Sequence, residues 1–469
     1  MTVMNRFPDP SPADLVMVKA EQLARHPDAN VTIGVVLHLT GAVPDLAGLR
    51  THVAARLDGL PCLTHVLSGD GPTARWVSAV PDMARHIRAQ QVDGGPAAIE
   101  AAVRLLLREP RTDTAPAWRM VLLHAHVPDG FALLYLTHHA VQDGANIVTV
   151  METLFGPPLL PEQFSVLTRD ASPTSRPSLR QAARSTMALL RHVRSHHLWQ
   201  SAAHPLSNRR HTLWAQVASA GLRSAARAGG ASTNDVYLTA LVHAITQWAK
   251  DSWPRAAAQT LPVMVPVNLR TPDEVAAPGN RLSLTWITLP GGTMPVSQRL
   301  ARIRALTSVL KSAGHKAVLR AALTRLPWRL VQRLVNASTV PGRLTVCASY
   351  LVMRRHLHYG EAAVQRIDPI MCCPPGVPMA VAALAYGDTT SACFRIDTAL
   401  PGADSLPSRW RQALADLATQ ASPTTASAPA PAPAPAPARG TPLKPATPGL
   451  GSLITWLAQR STVARVRRR

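Results

Sequence analysis

Apolar runs in this chain are short, and they recur in two blocks where strand-like and helix-like patterns alternate. Stretches such as Phe131 to Leu136 and Leu261 to Val267 are strand-sized, and none reaches the roughly 18 residues that a membrane-crossing helix needs. A bundle of spanning helices is therefore excluded, and a mixed α/β fold in two units is expected.

In the first block, β-branched residues predict a strand over Val31 to Leu39 that ends at Gly41. Helices are expected over Asp45 to Leu57 and Pro96 to Leu107; in the second, Ile99, Val103, Leu106 and Leu107 recur at helical spacing. Strands over Arg119 to His126 and Phe131 to Thr137 flank the turn Pro128-Asp129-Gly130, and a helix follows Asp143-Gly144 to about Leu154. In the second block a helix is expected from Leu213 to Ala228, then another that Ser232 or Thr233 caps. Strands are expected over Leu261 to Val267, Leu282 to Thr288, Leu344 to Met353, Met379 to Tyr386 and Ser391 to Ile396, with helices over Pro295 to Ser312 and Leu319 to Leu334.

These blocks set the expected domains at 1–156 and 206–421. A Pro/Ser/Thr-rich crossing segment, 157–205, lies between them and includes a helix over Leu179 to Leu198. Beyond Ala421 proline alternates with alanine, which removes backbone donors and blocks helix and sheet, so 422–449 is expected to be an extended linker. The last segment, 450–469, places Leu450, Leu453, Ile454 and Leu457 on one helical stripe beside a terminal arginine cluster. That pattern suits either a membrane-surface contact or a frayed tail.

Charge follows the same division. The 469 residues carry 49 Lys+Arg against 27 Asp+Glu, a formal charge of +22. Residues 1–156 hold 12 basic and 15 acidic residues, a net of −3, so the excess lies entirely in the remainder. Residues 171–230 hold nine arginines and no acid, and residues 301–355 hold eleven basic residues and no acid. Such runs attract polyanions such as nucleic acid, anionic lipid or a phosphorylated ligand, or else form a solvated surface. No nucleic-acid motif or aromatic interleaving accompanies them, so a nucleic-acid partner is not expected. Five cysteines at irregular spacing, with no CxxC pair, read as reduced core thiols. The start, MTVMNRFPDPSPAD, lacks the apolar core of a secretory signal, and a cytoplasmic location is expected.

The chemistry-bearing feature is His138-His139-Ala140-Val141-Gln142-Asp143-Gly144, directly after the strand LLYLT. At this chain's own frequencies of histidine, aspartate and glycine, such a match is expected about 0.002 times, so accident explains it poorly. A histidine at a strand end can stand at the mouth of a cleft and accept a proton near neutral pH, which suits His139 as a general base. Asp143 can fix the loop through an ion pair, for example with Arg270, His138 can support the loop, and Gly144 can permit the tight turn into the helix. A metal reading is weaker, because adjacent strand residues face opposite sides and no third ligand is near; a purely structural histidine is the other alternative.

His138 to Gly144 resembles the signature of the CoA-dependent acyltransferase superfamily. Further segments resemble the bacterial wax ester synthase/acyl-CoA:diacylglycerol acyltransferase family: Pro116-Ala117-Trp118, Thr233-Asn234-Asp235-Val236, Pro266-Val267-Asn268-Leu269-Arg270, Gly279-Asn280-Arg281, Leu289-Pro290, Tyr386-Gly387 and Asp397. The resemblance spans about residues 10 to 420. The chain departs from the family at Ala117, where leucine is usual, and around Ala348 to Met353, where the usual Ser-Asn-Val-Pro-Gly-Pro stretch is replaced.

The resemblance implies two chloramphenicol-acetyltransferase-like mixed-sheet domains with a channel between them. It implies transfer of a fatty acyl group from acyl-CoA, as co-substrate with no further cofactor or metal, to a hydroxyl of diacylglycerol or a long-chain alcohol. Trp118, Asn234, Asp235, Arg270 and Asn280 are implied as substrate-binding or supporting residues, each of which can equally be a structural anchor. A peripheral place at an anionic membrane or lipid-droplet surface follows; the oligomeric state is left open. Two alternatives remain: an acyltransferase of specialised metabolism acting on a sugar lipid or polyketide, and a catalytically lapsed lipid-surface or nucleic-acid binding protein.

Overall fold

The structure is a computed structural model that describes residues 7–109, 116–157, 204–253, 260–325, 329, 330, 333 and 344–421. The expected helix over Leu179 to Leu198, the end of the helix expected to Leu334, the linker 422–449 and the tail 450–469 lie outside the described residues.

In chain order, the first half contains α1 (Pro12–Leu23), β1 (Thr32–Thr40), α2 (Leu46–Ala54), β2 (His65–Ser68), β3 (Arg75–Ser78), α3 (Met83–His86), β4 (Ile87–Gln91), α4 (Pro96–Arg108), β5 (Trp118–His124), β6 (Gly130–His138) and α5 (Gly144–Phe155). The second half begins with β7 (Arg210–Ala218), α6 (Ser219–Ala228), α7 (Thr233–Ser252), β8 (Leu261–Asn268) and β9 (Leu282–Leu289). It continues with α8 (Val296–Leu310), α9 (Ala313–Arg325), β10 (Val346–Met353), β11 (His358–Tyr359), β12 (Ala362–Ile370), β13 (Met379–Tyr386), β14 (Thr389–Asp397) and α10 (Leu406–Ala421).

Two six-stranded mixed sheets result, ordered β11-β12-β1-β6-β5-β4 and β7-β14-β13-β10-β8-β9, with β2 and β3 as a separate hairpin. This is the two-sheet α/β architecture expected from the sequence. β6 is buried along its whole length, as a central strand covered on both faces must be. Its neighbours set its register, with Thr32 of β1 opposite His138 and Trp118 of β5 opposite Thr137.

Sheet membership cuts across the domain bounds drawn at 1–156 and 206–421. β10 pairs with β8 only at Val346 and Cys347, then runs on beside β13 alone. At its end the chain crosses to the first half, where Glu152 of α5 accepts hydrogen bonds from the backbone N–H groups of Arg354 (3.2 Å) and Arg355 (3.4 Å). β11 and β12 then extend the first sheet, β12 lying antiparallel to β1. The first sheet thus takes strands from both halves, which ties the two cores together.

One element differs in kind from the expectation. Residues 210–218 form the strand β7, not the start of a helix, and pair with β14 from Arg210 opposite Asp397 to Ala218 opposite Thr389. Strand and helix here meet at Ala218/Ser219 with no glycine or proline between them, so no local breaker marks the change. The entry to β7 is anchored by Asp397, which accepts from Ser207 N–H (3.0 Å), Ser207 Oγ (2.7 Å) and Asn208 N–H (2.8 Å) and pairs in the interior with Arg210.

α7 is the central helix of the second half. Ser232 caps it in a capping box with Asp235, and Tyr237, Leu241, Ala244, Ile245 and Trp248 are fully buried along it. All five cysteines are buried free thiols. Burial pushes Cys62, Cys372 and Cys393 up to about 12, so they stay protonated and act as small apolar side chains.

Candidate active site

β6 delivers the histidine pair to the place where the two halves meet. Within its own half, the backbone around the pair is held from both sides: His138 N–H donates to Ala117 O and His139 N–H to Val31 O, both at 3.0 Å. Thr137 Oγ1 also donates to Ala117 O (3.2 Å). Pro116-Ala117-Trp118 therefore acts through its backbone. The Trp118 side chain is buried in the core, with its indole N–H donating to Leu63 O (3.0 Å) and its ring against His86 and Tyr135. It supports β6 from behind.

Asp143 is the N-cap of α5, accepting from Asn146 N–H at 2.9 Å. Its other partners come from the second half. Arg270 reaches it with two donors, Nε at 3.3 Å and Nη2 at 3.0 Å, and Arg281 N–H donates at 3.0 Å. Burial alone would raise this carboxyl, but the Arg270 charge and the two backbone donors outweigh it and hold Asp143 below its ordinary value. Arg270 is itself buried, and it also donates to the carbonyls of Glu274 (2.7 Å), Ala277 (3.1 Å) and Gly279 (2.6 Å). One guanidinium thereby folds the β8–β9 connection around the loop that follows the histidines.

That connection places Asn280 against the histidine pair. Its side-chain amide donates one hydrogen to His139 O (2.6 Å) and the other to Asp14 Oδ1 (2.7 Å). Gly279 N–H donates to Val141 O at 2.6 Å. Gly279 has φ +87°, and a Cβ there would lie 2.8 Å from both Asp14 Oδ2 and Trp76 Cζ2, so only glycine fits.

Gly144 needs a different explanation from the one its sequence suggests. Its φ is not in the left-handed region, so no turn requires glycine. A Cβ at Gly144 would stand 3.0 Å from Leu351 Cδ1 of β10, so what the glycine provides is close approach between α5 and the crossing strand. The replaced segment Ala348 to Met353 thus packs directly over the start of α5.

His139 is buried with 9% of its surface exposed, and its Nδ1 has no hydrogen-bond partner among the described residues. Burial lowers its pKa below the ordinary 6.5, against the opposing pull of its own backbone, Asp143, Asn280 and Asp14. The imidazole is therefore neutral at neutral pH and able to accept a proton. His138 is held by its neighbours: Nδ1 accepts from Ala140 N–H (3.0 Å), and Nε2 stands 2.8 Å from Glu21 Oε2.

Asn234 and Asp235 lie elsewhere, at the start of α7. Asn234 is half-buried there. Asp235 accepts from Ser232, from Thr307 Oγ1 (2.6 Å) and from Lys311 Nζ (2.7 Å), which joins α7 to α8. These are anchoring contacts, and they account for Asp235 without a substrate. Among the described residues no group of three or more His, Cys, Asp or Glu side chains is arranged to hold a metal ion.

No family model matches the chain. A Mycobacterium tuberculosis protein with the provisional name diacylglycerol O-acyltransferase is 27% identical over 402 residues, covering 73% of this chain and 78% of its own length. The Mycobacterium tuberculosis tgs1 protein, named in the same provisional way, is 23% identical over 412 residues, covering 80% and 88%. Over most of its length the chain is thus similar to proteins named as diacylglycerol O-acyltransferases, at identities below 30%. Solved structures agree on the fold. The wax ester synthase/diacylglycerol acyltransferase of Marinobacter aquaeolei matches with a TM-score of 0.58 at 16% identity, covering 88% of this chain and 100% of that one. The starter condensation domain of rhizomide synthetase, in complex with C8-CoA and Leu-SNAC, matches with a TM-score of 0.61 at 15% identity, covering 88% and 93%.

The depressed histidine sets an expected pH profile for a reaction in which it is the base. A base whose pKa is lowered stays competent to lower pH, so kcat/KM should be flat through neutrality and fall on an acid limb with its midpoint below 6.5. A midpoint at or above that value would mean that His139 titrates as an ordinary exposed histidine.

Proposed function

We propose that the chain is an O-acyltransferase that moves a fatty acyl group from acyl-CoA to the hydroxyl of diacylglycerol or a long-chain alcohol, with His139 as general base. The observation that carries the mechanism is a buried histidine, neutral at neutral pH, at the end of β6. Its carbonyl is held by Asn280, and its loop is held by the Asp143–Arg270 pair. His139 takes the hydroxyl proton, the alkoxide oxygen bonds to the thioester carbon, the carbon–sulfur bond breaks, and the imidazolium returns the proton to the leaving thiolate. This single displacement needs no covalent acyl-enzyme and no further cofactor. The relatives' names and the C8-CoA complex of the condensation domain support acyl-CoA as donor.

The reading is tested by supplying the purified full chain with palmitoyl-CoA and a panel of acceptors that includes hexadecanol, diolein, a sugar lipid and a polyketide alcohol. Ester formed with hexadecanol or diolein is the expected result. Ester formed only with the last two would replace the acceptor assignment, and no ester with any acceptor would overturn the activity.

The basic second half supports a role in drawing in the CoA phosphates. Electrostatic attraction of this kind is screened over about 8 Å at physiological ionic strength. The KM for palmitoyl-CoA is therefore expected to rise with added salt while kcat changes little; a KM independent of salt would remove that role. Among the described residues no helix is long and apolar enough to cross a membrane. Separately, the excess of basic residues in the second half supports a peripheral place at an anionic membrane or lipid-body surface.

A further inference from the structure

Two carboxylates on one helix reach the two adjacent histidines by separate routes. Asp14 and Glu21 are seven residues apart on α1, two turns along, so they project from the same face about 10 Å apart. Glu21 Oε2 stands 2.8 Å from His138 Nε2. His138 Nδ1 accepts the Ala140 N–H, so in the neutral ring the proton lies on Nε2, the nitrogen that faces the Glu21 carboxylate. This fixes both the tautomer and the plane of His138, whose backbone leads directly into His139.

Asp14 works on the other side of the same residue. It is fully buried and accepts Asn280 N–H (2.6 Å) and Asn280 Nδ2 (2.7 Å), as well as Ser11 N–H (2.6 Å). Because one amide hydrogen of Asn280 is committed to Asp14, the other is aimed at His139 O. The Gly279 turn is pressed against Asp14 so closely that no side chain fits there, and Arg281 Nη2 donates to Pro8 O just ahead of the helix. The β8–β9 connection is therefore packed between α1 and the histidine loop.

We propose that α1 is a positioning element for the general base, with Glu21 acting through His138 and Asp14 acting through Asn280. The inference rests on His139 being the base and adds a role for a helix outside both sheets. Neither carboxylate contacts the reacting atoms. Their work is to hold the His139 backbone from two sides, since a displacement of about 1 Å at a reacting group can cost on the order of 100-fold in rate.

Glu21 is the position to test, because its side chain is partly exposed and both glutamine and leucine suit a helix. Glu21→Leu removes the acceptor for His138 Nε2–H, whereas Glu21→Gln keeps an oxygen acceptor there. In the full chain, Glu21→Leu is expected to lower kcat about 10- to 100-fold with KM for palmitoyl-CoA within about twofold. Glu21→Gln is expected to recover to within about threefold of the parent. A leucine variant with kcat within about twofold of the parent, or a glutamine variant as impaired as the leucine one, would overturn the proposal.

The second readout does not depend on turnover. With the histidines 15N-labelled, the His138 ring should show the Nε2–H tautomer, and the His139 ring signals, assigned by their loss in His139→Gln, should move in Glu21→Leu and return in Glu21→Gln. Unmoved His139 signals would overturn the positioning role even if the chain proved inactive on every acceptor, so failure of the acyltransferase reading and failure of this one are separable.

Discussion

Arg270→Ala is expected to destabilise the protein by about 3 to 5 kcal/mol, the cost of leaving a buried charge without its partner. Removing the guanidinium strips Asp143 of both its charged donors and leaves the carbonyls of Glu274, Ala277 and Gly279 without theirs. Each such orphaned buried group has its own cost, so the expected loss is a large share of the roughly 5 to 15 kcal/mol that holds a folded protein together. Denaturant unfolding of the variant checks this, and a midpoint equal to the parent's would contradict the structural reading.

Because Arg270 and Asp143 are one interaction, Asp143→Ala combined with Arg270→Ala should be less destabilising than the sum of the two single changes. Simple additivity would mean that the pair is not coupled. The pH dependence has a definite sign. Asp143 is held below its ordinary 3.8, so its contribution is complete above that value and is lost only as pH falls below it through the folded-state value.

Much of the site can be read in the chain because its signal is local. His138 to Gly144 is contiguous, follows an apolar strand, and contains the N-cap that starts α5. The pairing of Asp143 with Arg270 spans 127 residues and was still accessible, because a buried loop carboxylate needs a cation and Arg270 ends a recognisable strand segment. The contributions of Asp14 and Glu21 had no such marker. Both lie in a short amphipathic helix near the start of the chain, where acidic residues are ordinary, and the contact of Asp14 with Asn280 spans 266 residues. Trp118 and Asp235 were visible as motif members, but motif membership does not separate a side chain that faces a substrate from one that holds a strand or caps a helix.

The fold has the same limits. α4 follows directly from its helical periodicity, and β6 and β13 from short apolar runs of strand length. β12 does not, because its alternation is broken and it joins a sheet built mostly from the other half of the chain. Nothing in the local sequence interrupts the strand–helix junction at Ala218/Ser219, so a single helix is what the sequence there predicts.

His139→Ala carries the second large effect. General-base catalysis by a positioned side chain contributes about 10²- to 10⁴-fold, and alanine removes the proton acceptor while leaving untouched the backbone bonds to Val31 and Asn280. The loss should fall on kcat with little change in KM for acyl-CoA, because the imidazole acts in the transition state and not in holding the donor. The measurement is the rate of ester formation from labelled palmitoyl-CoA with hexadecanol or diolein, made on parent and His139→Ala proteins of equal unfolding midpoint. A fall of at least about 100-fold in kcat is the result this mechanism requires; undiminished ester formation by the alanine variant would contradict it.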